Sequence, residues 1–241
     1  MHVDLVLQGK GGVGKSLIAS LIAQHLRTKG CKLSCVDTDP ENATFAGYQA
    51  LGAETLEIMD GEDINPREFD GLIERIVMSA DPEERMVIDS GTSTFLPLCS
   101  YLLRNQVVPL LKESGHSITF HVPITGGQAL LDTAEGFAGI CSQFKAVPVV
   151  VWQNEYFGPV VHEGKKFEES KGFKEFGKRI QAIVTIPALQ VDTFGYDFRQ
   201  MLAARLTFAE ADQSPAFTFM ARHRLRKIAD AIFGQMDRAG L

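Results

Sequence analysis

The sequence predicts an α/β fold: a mostly parallel, twisted sheet with helices on both faces. Three observations predict it. Short apolar runs rich in β-branched residues alternate with stretches of helical period. The runs carry few polar residues, as strands covered on both faces do. A glycine-rich loop stands between the first run and the first helical stretch.

Residues 3–7 form the first strand, closed by Gln8 and Gly9. Ile18, Leu21, Ile22 and Leu26 recur at three- and four-residue steps and make a helix, with Gly30 as its stop. Residues 33–36 are a strand ending in Asp37, and residues 56–59 are a third. Phe69, Leu72, Ile73, Ile76 and Val77 mark an amphipathic helix. Residues 86–88 run as a strand into Asp89, and residues 96–111 read as helical up to about Pro109. A strand at 118–124 precedes a helix at 127–144. Strands at 147–152 and Ile180–Ile186 follow, the second ended by Pro187. Helices near 198–206 and 218–236 come last. Residues 154–176, rich in Gly, Lys, Glu and aromatics, are expected to form a long surface excursion with one short helix, making partner or subunit contacts.

Composition narrows the class. With 45% hydrophobic and 22% charged residues, the 241-residue chain is not collagen-like, disordered or a disulfide scaffold, and it is long enough to bury a sizeable core. The net charge of −6 is unevenly spread. Residues 1–120 hold ten Lys/Arg against seventeen Asp/Glu, whereas residues 121–241 hold fourteen against thirteen. No affinity of the whole surface for nucleic acid follows, though a local basic patch in the second half stays open. Cys31, Cys35, Cys99 and Cys141 form no metal-type spacing and read as free thiols of a reducing cytosol. The start, Met-His-Val-Asp, has no signal-peptide character, and no apolar run is long enough to span a bilayer. The expected place is the cytoplasm, with peripheral attachment at the inner membrane as the alternative. The six histidines are scattered without ligand spacing.

The decisive segment is GKGGVGKS, which satisfies G-x-x-x-x-G-K-[ST] between a strand and a helix. Its glycines let successive N–H groups turn toward an anion, and the helix that opens near Lys15 adds its positive end. Gly9, Lys10, Gly11, Gly12, Val13, Gly14, Lys15 and Ser16 are therefore the expected phosphate contacts. Lys15 is the ammonium for the β- and γ-phosphates, and the Ser16 hydroxyl suits Mg²⁺. Lys10 puts a second lysine in the loop, which by itself only raises the local potential. Asp37 and Asp39, in VDTDPENAT, leave a strand end on one side with one residue between them. Asp39 is the candidate for orienting the attacking water, and Asp37 for supporting Mg²⁺ or Lys15. Asp89 ends an apolar strand in the Walker B manner and would hold Mg²⁺ through water, with Gly91 and a polar Thr92–Ser93–Thr94 stretch after it.

Together these motifs resemble the MinD/ParA family of P-loop ATPases, whose deviant Walker A motif reads K-G-G-x-G-K-[ST]. The likeness extends from Gly9 to Pro187. It implies a single P-loop ATPase domain over residues 1–241. It also implies ATP and Mg²⁺ as ligands, and a nucleotide-sandwich homodimer in which Lys10 reaches the partner's phosphates. In that role Lys10 would neutralise charge developing between the β- and γ-phosphates. It further places Asn154 at the adenine edge and backbone near Pro187 against the base, although Glu155 and the spacing to Asp192 depart from the family pattern. A closer likeness is carried by LVLQGKGGVGKS, IMDGEDIN, PITGGQALLDT and VVHEGKKFEE. It is to the conjugal transfer ATPases of broad-host-range plasmids, and it implies work beside the conjugation machinery.

The expected function is thus an ATP-hydrolysing switch in plasmid DNA transfer, with Lys10, Lys15 and Asp39 catalytic. A non-hydrolysing nucleotide-sensing adaptor and a ParA- or MinD-like partitioning or positioning ATPase are the alternatives. A P-loop small-molecule kinase or synthetase is disfavoured by Lys10. Leu225, Ile228, Ile232, Phe233 and Met236 form an apolar stripe beside Arg222, Arg224, Arg226 and Lys227. It is expected to pack on the sheet, with membrane or DNA contact as the rival reading. Cys99 and Cys141 are expected to be buried helix residues.

Overall fold

The computed structural model describes residues 1–61 and 63–241; Glu62, inside IMDGEDIN, lies outside the described residues. The described strands are β1 (His2–Val6), β2 (Leu33–Asp37), β3 (Glu54–Thr55), β4 (Met59–Asp60), β5 (Asp63–Ile64), β6 (Arg85–Asp89), β7 (Ser117–Thr125), β8 (Val149–Asn154), β9 (Val161–His162), β10 (Lys165–Lys166) and β11 (Ile180–Ile186). The helices are α1 (Lys15–Thr28), α2 (Glu68–Val77), α3 (Phe95–Arg104), α4 (Val107–Glu113), α5 (Leu130–Gln143), α6 (Lys171–Phe176), α7 (Phe194–Ala203), α8 (Phe208–Gln213) and α9 (Phe219–Ala239).

Seven strands form one sheet in the order β11-β8-β7-β1-β6-β2-β3, every pairing parallel. This is the predicted α/β architecture. Side-chain alternation along the strands divides the core. Val3, Leu5 and Leu7 face α2 to α5, whereas Val6, Cys35, Val150 and Trp152 face α1 and α7 to α9. The stripe on α9 is spent in this second layer: Leu225, Ile228, Ile232 and Met236 are buried. Among the described residues, no helix is long and apolar enough to cross a membrane.

Four expectations need correction. The third strand of the sheet is Glu54–Thr55, not 56–59. Residues 59–60 instead pair with 63–64 in a separate hairpin. The stretch 96–111 is two helices, broken where Gln106 takes a left-handed φ of 51°. Pro109 does not end a helix but sits in the first turn of α4, where its missing N–H breaks no intrahelical bond. The six residues of α8 are too few to show a period, although Thr207 and Glu210 form a capping box.

The excursion after Asn154 is docked against the sheet layer. It folds into the β9–β10 hairpin, whose turn uses left-handed Glu163 and Gly164, and then α6, capped by Ser170. Phe167 is buried edge-on against Phe137 of α5, with ring centroids 5.4 Å apart.

One charged cluster lies within the sheet layer. Asp4, fully buried, accepts bonds from Arg85 Nη2 at 2.7 Å and His121 Nε2 at 3.0 Å. Trp152 Nε1 donates to His121 Nδ1 at 3.0 Å, which fixes the ring with its proton on Nε2. Burial pushes the Asp4 carboxyl up, but the bonds from His121 and His2 and the charge of Arg85 more than offset this and hold it below the usual range. Asp4→Ala strands Arg85 and His121. It should cost about 3–5 kcal/mol in urea unfolding, and a loss under about 1 kcal/mol would show the cluster to be incidental.

Candidate nucleotide site

β1 lies between β6 and β7, where the order of the chain reverses across the sheet, so the loop after β1 opens at a topological switch point. That loop runs through Gly12 (φ 75°) and Gly14 (φ 96°) into α1, whose first turn has no acidic residue. A helix start of this kind presents unpaired N–H groups and a partial positive charge.

Three contacts hold the loop. Gln8 is buried: its Nε2 donates to Pro123 O at 3.0 Å, and its Oε1 accepts from Gly9 N at 2.9 Å. Asn154 Nδ2 donates to Val13 O at 3.1 Å, while Asn154 Oδ1 accepts from Tyr156 N. A Cβ on Gly14 would stand 2.9 Å from Asn154 Nδ2. Lys15 Nζ donates to Lys10 O and to Thr92 Oγ1, each at 3.1 Å, tying the loop to the segment after β6. Asn154 therefore holds the loop at Val13 rather than pointing its amide freely toward a base. Pro187 follows the next strand, where Ile186 pairs with Asn154, so the two expected base-side residues are neighbours at one edge.

The acidic loops lie on the other side of β1. Asp37 is buried and accepts from Asp39 N (3.0 Å) on one oxygen and Ala46 N (2.9 Å) on the other, so it shapes the 37–46 loop. Asp39 uses one oxygen, Oδ1, for the amides of Glu41 and Asn42, both at 3.0 Å. Thr38 ties the ends of β2 and β6 by donating N–H and hydroxyl bonds to Asp89 O. Gly91 lets the two loops touch, since a Cβ there would meet Asp39 Cα at 2.9 Å.

Asp89 differs from its neighbours. It is buried, and among the described residues neither carboxylate oxygen has a well-formed hydrogen bond, with the Ser16 hydroxyl as its near neighbour. Burial pushes its carboxyl up to about 8; Asp37 and Asp39 add to the rise, and Ser16 and Lys15 oppose it. Burial also draws the Lys15 ammonium down, against the pull of Asp89 and Asp39. The arrangement is a cation-seeking carboxylate beside a hydroxyl and an ammonium. Ser16 and Asp89 fit Mg²⁺, which takes hard oxygens and needs only one or two carboxylates beside phosphates and water.

Lys10 points away from this cluster. Its Nζ is 2.7 Å from Asp132 Oδ2 in the first turn of α5, and both side chains are about half exposed. Thr92 falls in the polar stretch expected after Asp89, whereas the sequence pattern gives Asp132 and Gln8 no part in the site. The signal for Gln8 is a polar residue at a strand end; nothing in the local pattern marks Asp132.

Comparison with known proteins agrees with this layout. A ParA profile, described as NUBPL iron-transfer P-loop NTPase, matches residues 1–92. Two proteins named Protein TraL, from Escherichia coli, are each 50% identical over 240 residues, covering 99% of this chain and 98% of theirs. The chain belongs to the TraL family. TraL-like sequence thus sits on a fold shared with MinD. The MinC:MinD cell division protein complex of Aquifex aeolicus aligns with a TM-score of 0.58 at 14% identity, over 97% of this chain and 96% of that one. The septum site-determining protein MinD of Pyrococcus horikoshii, complexed with Mg-ADP, aligns at 0.53 with 16% identity, covering 95% of each chain. This TraL-family chain therefore carries a ParA-matching first segment on a MinD-like fold. Its cysteines are free, and burial pushes the Cys35 and Cys99 thiols up to about 12.

Asp89 gives a pH test on the nucleotide-free protein. Its folded pKa is raised, so the folded state binds the proton more tightly than the unfolded chain. Stability is then lost as pH rises from about 4 toward 8, and the loss is complete above that. Asp89→Asn removes the ionisation. Its thermal stability relative to wild type should therefore grow from about pH 4 to about pH 8, reaching about 4–6 kcal/mol. Parallel pH profiles for the two proteins would contradict the assignment.

Proposed function

We propose that the chain is a Mg²⁺-dependent ATPase, a switch between an ATP-bound dimer and an ADP-bound monomer that serves plasmid conjugative DNA transfer. The observation that carries the reading is Asp89: a buried carboxyl that, among the described residues, has no well-formed hydrogen bond on either oxygen and lies beside Ser16 and Lys15. Burial keeps this carboxyl protonated up to about pH 8, and a bound cation would let it ionise at neutral pH. Mg²⁺ held by Ser16 and Asp89, with Asp37 supporting through the loop it shapes, would supply charge neutralisation at the β- and γ-phosphates.

Each group in the chain then has a task. The amides of residues 9–16 and the opening of α1 bind the phosphates. Lys15, held by Thr92, neutralises the γ-phosphate. Asp39 accepts a bond from the attacking water and orients it. Asn154 and the backbone at Pro187 bound the base side.

Lys10 would act in trans. Its pair with Asp132 is exposed, and such pairs are worth at most about 1 kcal/mol, so releasing the lysine toward a second subunit costs little. The same sheet edge exposes large apolar side chains: Leu96, Tyr156, Phe157, Val191 and Tyr196 are all more than half exposed in the segments after β6, β8 and β11. An apolar rim around a phosphate site suits burial against a second copy. The conjugative role rests on the likeness to plasmid transfer ATPases and on the TraL relatives.

Purified Lys10→Ala protein should keep ATP binding within about threefold of wild type and lose at least about 100-fold in turnover. Hydrolysis at the wild-type rate would remove the trans role. Solution mass in an Asp39→Ala background should double with ATP and not with ADP; equal masses would remove the dimer switch.

A further inference from the structure

A groove of about 540 Å³ lies between the β9–β10 hairpin, α6 and the first turns of α5. Its floor is apolar: Ile124, Leu130, Ala134, Val160 and Phe167 line it, with Leu131 about half exposed at its lip. Its rim is cationic. Lys165, Lys166, Lys171 and Lys174 are exposed, and among the described residues none is paired with a carboxylate. Two acids also line the groove. Glu163 sits in the hairpin turn, and Glu169 accepts the backbone N–H of Lys166 at 2.9 Å. The rim therefore keeps a positive excess.

The contrast with the other basic cluster is informative. On α9, Arg224 pairs with Asp197, Arg226 pairs with Asp212, and Arg222 donates to the carbonyls of Ser214 and Phe217. The guanidiniums of Arg222, Arg224 and Arg226 are thus engaged within the chain, and Lys227 of that cluster has no ion pair among the described residues. The charge around the groove is not so engaged.

We propose that this groove docks an acidic, amphipathic segment of a partner protein. Apolar anchors would cover the floor, as an amphipathic helix does in a hydrophobic groove, while carboxylates would meet the rim lysines and set orientation and on-rate. Nucleic acid fits less well: phosphates would find the lysines, but the apolar floor would gain nothing from a charged backbone. The proposal does not depend on nucleotide chemistry, so its test is run on the nucleotide-free chain.

The probe is a fluorescein-labelled helical peptide with Leu and Phe on one face and Glu flanking them, followed by anisotropy. Saturable binding is expected. It should weaken at least about tenfold in the double variant Lys165→Glu/Lys166→Glu, and on raising salt from about 0.05 to about 0.5 M. Leu131→Asp, at an exposed position that folding does not need, should weaken it by a similar factor. Three results would overturn the proposal. The peptide does not bind at millimolar concentration, or its binding ignores all these substitutions. Duplex DNA binds in place of the peptide and is lost in the lysine variant. Self-association of the chain is lost in the lysine variant while the peptide fails to bind.

Discussion

A polyanion can be held in one place only if its charge is met by groups that water cannot easily replace. Backbone amides and a helix start do this without side-chain entropy, and the loop between β1 and α1 is built from them. Much around it serves to keep that loop still. Gln8 anchors its first peptide, Asn154 its Val13 carbonyl, and Lys15 bridges it to Thr92. The parallel sheet matters because it brings the ends of β1, β2, β6, β8 and β11 to a single edge, so that residues far apart in sequence share one site.

The electrostatics of that edge are deliberately unbalanced. Asp37 is satisfied on both oxygens by amides of its own loop and Asp39 on one, and their charge contributes to shape as much as to binding. Asp89 is left without a well-formed hydrogen bond among the described residues, and the Lys15 ammonium is shared between the loop and the acids. A site of this kind costs stability when it holds no cation and regains it on binding, the usual relation between function and local strain. The Asp4–His121–Trp152 cluster, by contrast, is closed on itself and tightens the sheet beneath the site.

Local pattern made most of the architecture legible. The strand–loop–helix at residues 3–28 combines period, glycines and a stop glycine in one stretch, and the structure follows it closely. The apolar runs ending in Asp37 and Asp89 fall on neighbouring strands whose last residues are paired. What stayed hidden depends on contacts between distant segments. No local signal ties Lys10 to Asp132, or turns Asn154 inward to Val13. The break at Gln106 rests on one residue in a left-handed conformation that non-glycine residues seldom take. The docking of the excursion depends on Phe167 meeting Phe137, thirty residues away. The short helix α8 could have been read from its Thr207–Glu210 box, since that signal does not need length.

We propose that the amide loop at residues 9–16 grips an adenosine triphosphate with magnesium. Calorimetric titration of the purified chain with ATP and MgCl₂ tests it most directly. Saturable one-site binding that weakens when magnesium is chelated is the expected result. No binding at millimolar nucleotide would contradict the account.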